Sequence, residues 1–262
     1  MTPNAELAPP NSLVIAYDDL LVFIDETGDE ALPTAAPLFG LGGIIVYGAD
    51  YQSCVVQPWS TIRETIGLST GHPLHAATDF DLYKHHLEAL ARFFKLGAFV
   101  RHASMVNSET VSNFDAFITA SCAGLSRNVG RTLARVCRNA PVGRIVFVVE
   151  HSERLHSHYE KLIGTTGPTL IAANGSRRTF AQQWAALRKS SCTPGLEVAD
   201  FVLHAAQGQV RARQRNGVAP YRKDFEAVFR SVSREHVEYM EINTAHATPS
   251  DGPPGVFRIG LQ

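Results

Sequence analysis

A chain of 262 residues that is 45% hydrophobic carries enough apolar material for a substantial core, which excludes a wholly disordered protein. A formal net charge of −1 supplies no bulk field for a polyanion, so any nucleic-acid contact has to come from local basic patches. No apolar run approaches a membrane span, and the start MTPNAELAPPNS lacks the basic-then-apolar order of a signal peptide, so a cytoplasmic protein without a membrane partner is expected.

Residues 1–12 are polar and proline-rich and read as a loose arm. The run 20–24, LLVFI, closed by Asp25, Glu26, Asp29 and Gly28, reads as a buried strand. Pro33 and Pro37 mark a turn, and 38–48 (LFGLGGIIVYG) reads as a second strand, a hairpin partner of the first. A short helix is expected over 59–68, a loop over HPLHAATDFD, and a helix over 82–95 with Leu87, Leu90 and Phe94 on one face. A third strand is expected over 98–106 and the longest helix over 114–139. Then comes a buried strand, RIVFVV, ending at Glu150. Helix is expected within 151–164, a loop or weak strand over 165–176, strand or helix over 180–187, a turn at SSCTPG, and a strong helix over 196–214. The simplest account is one α/β domain over 13–262 with a mixed sheet and an irregular C-terminal extension.

Three elements end in or carry a carboxylate: Asp25 and Glu26 after the first strand, Glu150 after RIVFVV, and Asp200 within GLEVADFVLHAAQ. On that last helix, Glu197, Asp200, His204 and Gln207 share one stripe, while Val198, Phe201, Val202 and Ala205 form the apolar side. Taken singly, each acid has a plain structural role: a turn residue, a helix cap, an exposed ion pair. Taken together, neighbouring strands would bring Asp25 and Glu150 to the carboxyl edge of a sheet, where open α/β folds bind ligands. Carboxylates a few ångströms apart repel by roughly 1–4 kcal/mol, and a hard divalent cation such as Mg²⁺ or Mn²⁺ would remove that repulsion. Two such ions clamp a phosphoryl group for in-line attack by water.

The segment FIDETGD resembles the FIDESGD signature of the DUF3800 family. LFGLGGIIV is similar to that family's glycine-rich second strand, HPLHAATDF to its histidine–aspartate segment, and LRKSSCTPGLEVADFVLHAAQ to its late helix with an Ala-Asp pair. The matches follow the same order along most of 20–215. Thr27 stands where the family has Ser, and Glu197 where it favours Gln. The resemblance implies a ribonuclease H-like fold, metal-dependent nuclease activity, and roles for Asp25, Glu26, His75 and Asp200. By the same analogy Glu150 ends a strand that often carries a further ligand.

A nuclease must hold phosphates. Arg127, Arg131, Arg135 and Arg138 recur at helical spacing. Arg177 and Arg178, Arg188 and Lys189, Arg211, Arg213 and Arg215, and Arg222 and Lys223 form further basic groups. A stripe of this kind is most often the solvated face of a helix. Lys189, close in sequence to the Asp200 helix, is the candidate for a scissile phosphate, and His75 for a general base or phosphate contact. The cysteines and histidines make no zinc spacing.

The expected function is thus a divalent-metal-dependent nuclease acting on RNA or DNA. Its metal ligands would be Asp25, Glu150 and Asp200, with Glu197 or Glu26 in support. The alternative is a non-enzymatic nucleic-acid- or protein-binding module of a phage-defence or mobile-element system, with a protein partner or a second copy of the chain. An aspartyl-phosphate phosphatase ranks last, because Thr27 stands where that chemistry wants a second Asp.

Overall fold

The computed structural model of the chain describes residues 14–28, 38–107, 114–163, 167–172, 174–214, 226–232, 237–241 and 256–258. The proposed arm and most of the C-terminal extension lie outside the described residues.

The apolar run at 20–24 becomes β1 (Leu20–Gly28), whose first five residues are fully buried. It pairs antiparallel with β2 (Leu38–Tyr47), as expected of a hairpin. A continuous helical stretch follows: α1 (Gly48–Tyr51), a π-turn (Gln52–Val56) and α2 (Gln57–Ile66), which stops where Gly67 takes a left-handed φ of 76°. The helix read at 82–95 is in fact α3 (Phe80–Tyr83), a 3₁₀ turn (Lys84–His86) and α4 (Leu87–Leu96). Then come β3 (Val100–Asn107), α5 (Phe114–Val136), β4 (Arg144–Glu150) and α6 (His156–Ile163).

The ambiguous 165–187 region resolves into β5 (Thr169–Ile171), β6 (Arg177–Thr179) and β7 (Ala181–Leu187). A 3₁₀ turn (Lys189–Ser191) leads into α7 (Pro194–Gln214), and α8 (Glu226–Val232), β8 (Val237–Glu241) and β9 (Val256–Arg258) follow.

The architecture is α/β, with a mixed central sheet in the order β7-β4-β1-β2-β3-β8 and a small second sheet β6-β5-β9. β4 runs parallel to both β1 and β7, and β2 runs antiparallel to its neighbours β1 and β3. Alternation along the strands sends side chains to two different cores. Leu21, Phe23, Val146 and Val148 join Trp59, Phe94 and Phe201 beneath α7. Leu20, Val22, Ile24 and Val149 join Phe117, Leu125 and Leu133 of α5 on the other face. The acid just before β1 and the acid within it differ sharply. Asp19, 1% exposed, accepts two bonds from Arg144, at 2.7 and 2.9 Å, and is fully compensated. Asp25, where the apolar run of the strand stops, has no arginine beside it among the described residues.

Candidate carboxylate–lysine site

Pairing of β1 with β4 puts Ile24 level with Val149, so Asp25 and Glu150 emerge side by side at the carboxyl edge of two parallel strands. Both continue the rows that face α7: Leu21, Phe23, Asp25 on one strand and Val146, Val148, Glu150 on the other. Glu26, one residue on, projects to the opposite face. There its carboxylate meets Arg154 at 3.1 Å and Ser152 Oγ at 3.5 Å. Its expected supporting place beside Asp25 is therefore not taken up, and the cause is the two-residue period of a strand.

The third carboxylate arrives because α7 lies unusually close to the sheet. A Cβ on Gly195 would sit about 2.5 Å from the ring of Phe23, and one on Gly43 2.6 Å from Cβ of Ala199. Two missing side chains let the first turns of α7 settle onto β1 and β2, which brings Asp200 near Asp25 and Glu150. Burial holds the Asp25 carboxyl well above the usual range, and repulsion from Asp200 and then Glu150 adds to it.

Among the described residues, one ammonium provides a counter-charge. Lys189, in the 3₁₀ turn just past the edge of β7, places Nζ 3.3 Å from Glu150 and 4.0 Å from Asp25. Burial works against its ammonium, but Asp25, Asp200 and Glu150 outweigh it and keep its pKa above the ordinary lysine value. The repulsion that seemed to demand a doubly charged ion is thus partly met by a side chain. Among the described residues, no three His, Cys, Asp or Glu side chains are disposed to hold one metal ion together. An ion entering this cluster would have to displace the Lys189 ammonium from Glu150 and Asp25.

Glu197 does not join the trio. It is 3% exposed and its oxygens are taken by Trp59 Nε1 at 2.6 Å, Leu74 N at 3.0 Å and the Arg63 guanidinium. The expected metal ligand is a structural anchor, with the charge balanced by arginine and the remaining lone pairs by two neutral donors. Together with Asp200 it holds the loop that carries His75. Ala76 N donates to Asp200 at 2.9 Å, His75 N to Asp79 at 2.8 Å, and the Tyr83 hydroxyl to Ala76 O. His75 Nδ1 lies 3.9 Å from Asp200 Oδ2, so this histidine does border the cluster. The structure therefore brings together Asp25, Glu150, Asp200, Lys189 and His75, and sends Glu26 and Glu197 elsewhere.

Compared with known proteins, the chain matches no family model, no curated protein and no solved structure. No helix among the described residues is long and apolar enough to cross a membrane.

Proposed function

We propose that the chain is a ribonuclease H-like, DUF3800-type protein that hydrolyses phosphodiester bonds with a divalent metal ion. The observation that carries this reading is the imbalance of charge at one edge of the sheet. Among the described residues three carboxylates face a single ammonium, which leaves a formal charge of −2 on these four groups when all are ionised. The oxygen-only donor set and the raised pKa of buried Asp25 fit a hard dication. Asp25, Glu150 and Asp200 would hold Mg²⁺ or Mn²⁺. That ion would supply Lewis-acid polarisation of the phosphoryl group.

The chain's own residues have separable tasks. Asp25, the most buried, fixes the position of the cluster at the strand end. Asp200 spends one oxygen on Ala76 N and thereby couples the cluster to the His75 loop. His75, 28% exposed, can take a proton from water entering that side. Lys189, 31% exposed, can turn from the carboxylates to a phosphate oxygen as negative charge grows there.

Lys189 also favours a second reading, a nucleic-acid- or protein-binding module without turnover, because it compensates the acids without any ion. Calorimetric titration with Mn²⁺ and a cleavage assay on RNA and DNA decide between them. The nuclease reading requires Mn²⁺ binding that is lost in Asp200→Asn and cleavage that is lost in Asp25→Asn. A folded Asp25→Asn protein that still cleaves rejects it, and absence of both binding and cleavage supports the second.

A further inference from the structure

At His75, three consecutive main-chain amides each meet a different carboxylate. Leu74 N donates to Glu197 at 3.0 Å, His75 N to Asp79 at 2.8 Å and Ala76 N to Asp200 at 2.9 Å. Hydrogen bonds to ionised acceptors are the strong ones, so the main chain here is held more firmly than a loop requires. Leu74 and Ala76 turn their side chains into the core beneath α7, at 0% and 1% exposure. The His75 ring between them is 28% exposed, with Nδ1 3.9 Å from Asp200 Oδ2.

The upstream end of this segment is held by Arg63, near the end of α2 and 13% exposed. An arginine that only balanced a buried acid would lay both terminal nitrogens on it, fork to fork. Here the fork is split. Nη1 donates to Glu197, while Nη2 donates to His72 O at 2.8 Å and Ser69 O at 3.3 Å. One guanidinium therefore ties α2 and α7 to the loop that leads to His75, and Glu197 passes the tie on to Leu74 N. Glu197 and Asp200 stand one helical turn apart, so α7 grips the loop on either side of His75.

We infer that Arg63 is a positioning residue: acting through Glu197 and the main chain of 69–74, it sets the place of the His75 ring beside Asp200. Its partners are Glu197, Ser69 and His72, so its influence on the cluster is indirect. Lysine cannot reproduce it. An ammonium is a point donor without the planar fork, so Arg63→Lys keeps a charge facing Glu197 and gives up the reach to both carbonyls. The consequence for turnover rests on the nuclease reading, whereas the placement of the ring does not.

The test begins with amide exchange on the wild-type full chain. The Leu74 and Ala76 amides are expected to exchange at least about tenfold more slowly than in an unfolded chain. Unprotected amides at both positions overturn the inference without any variant. NMR of the metal-free protein at fixed pH then follows the His75 ring resonances, assigned by their loss in His75→Gln. They should move in Arg63→Lys, while those of His158, which faces Asp115 of α5 at 3.4 Å, stay in place. An unmoved His75 ring in the folded Arg63→Lys protein overturns the inference; the same readings on Arg63→Gln serve if the lysine variant does not fold. In the cleavage assay, Arg63→Lys is expected to lower kcat by about tenfold to a hundredfold and to change KM by less than about twofold, since a misplaced group costs turnover rather than binding. In a His75→Gln background the same change should cost less than about twofold, because the group it acts through is gone. An undiminished loss there makes Arg63 a purely structural residue and overturns the positioning role. A wild-type protein that cleaves neither RNA nor DNA removes the nuclease reading, and the exchange and ring measurements still decide whether Arg63 places His75.

Discussion

Replacing Lys189 by Met separates two roles that one ammonium can play. At 3.3 Å from Glu150 and 4.0 Å from Asp25, each attraction is about 1 kcal/mol at the dielectric of water and about 4–5 kcal/mol at an effective dielectric near 20. The side chain is 31% exposed, so the lower end applies, and the two contacts together contribute about 2 kcal/mol. A metal ion that claims the same oxygens must displace them. Removing the ammonium while keeping the apolar stem is therefore expected to tighten Mn²⁺ binding by about thirtyfold, the equivalent of about 2 kcal/mol. Cleavage should fall at the same time, because the cation meant for the phosphate has gone. Titration calorimetry reads the first effect and initial rates at saturating Mn²⁺ read the second. Unchanged or weaker Mn²⁺ binding in a natively folded Lys189→Met protein would refute the idea that lysine and metal compete for one set of carboxylates.

Glu197→Ala strips a buried acceptor from Trp59, Arg63 and Leu74 and leaves the Arg63 charge unpaired. A loss of about 3–5 kcal/mol is expected, visible as a drop in Tm of roughly 6–20 °C by calorimetry. A drop under about 2 °C would return Glu197 to the list of candidate ligands. For Asp25 the pH dependence has a definite sign. Its folded pKa lies above its unfolded one, so its contribution is fully present below the ordinary carboxylate range and is lost as pH rises through the elevated folded value. Urea melts of the metal-free protein should show wild type losing stability relative to Asp25→Asn over that window, with Mn²⁺ reversing the loss at the higher pH. Parallel curves for the two proteins would show that Asp25 ionises freely.

Much of the site's framework is visible in the residues themselves. LLVFI and RIVFVV are continuous apolar runs of the kind that pair in parallel inside a sheet, and each ends in an acid. The same period-two rule places Glu26 on the wrong face for the cluster, a consequence already contained in the strand reading. Glu197 is different. Its partners Trp59 and Arg63 lie 138 and 134 residues away, and nothing in the local sequence distinguishes a helix acid facing a site from one buried against a distant arginine. The arginine stripe of α5 reads on sequence as a solvated face. The boundaries of α3 and α4 were blurred for a local reason: 3₁₀ and α turns carry nearly the same apolar spacing over so few residues.

The geometry of the cluster finally rests on a backbone approach, and that can be tested without touching any charge. In an ordinary exposed helix, Gly→Ala stabilises by about 1 kcal/mol, since alanine has less freedom to lose. At Gly195 the new methyl would fall about 2.5 Å from the Phe23 ring, and Phe23 is fully buried with Tyr51 stacked on it at 5.0 Å. The ring has nowhere to go, so α7 must lift, at a cost of about 1–3 kcal/mol or a Tm lower by roughly 2–12 °C. Because Phe23 and Asp25 lie two residues apart on the same face of β1, lifting α7 also carries Asp200 away from Asp25. Gly195→Ala is thus expected to lower both Tm and Mn²⁺ affinity. The control is Gly175→Ala, at a φ of 81° with open space around it. There backbone strain alone should lower Tm and leave Mn²⁺ affinity unchanged. A Gly195→Ala protein as stable as wild type would mean that helix and strand do not meet as closely as the cluster requires.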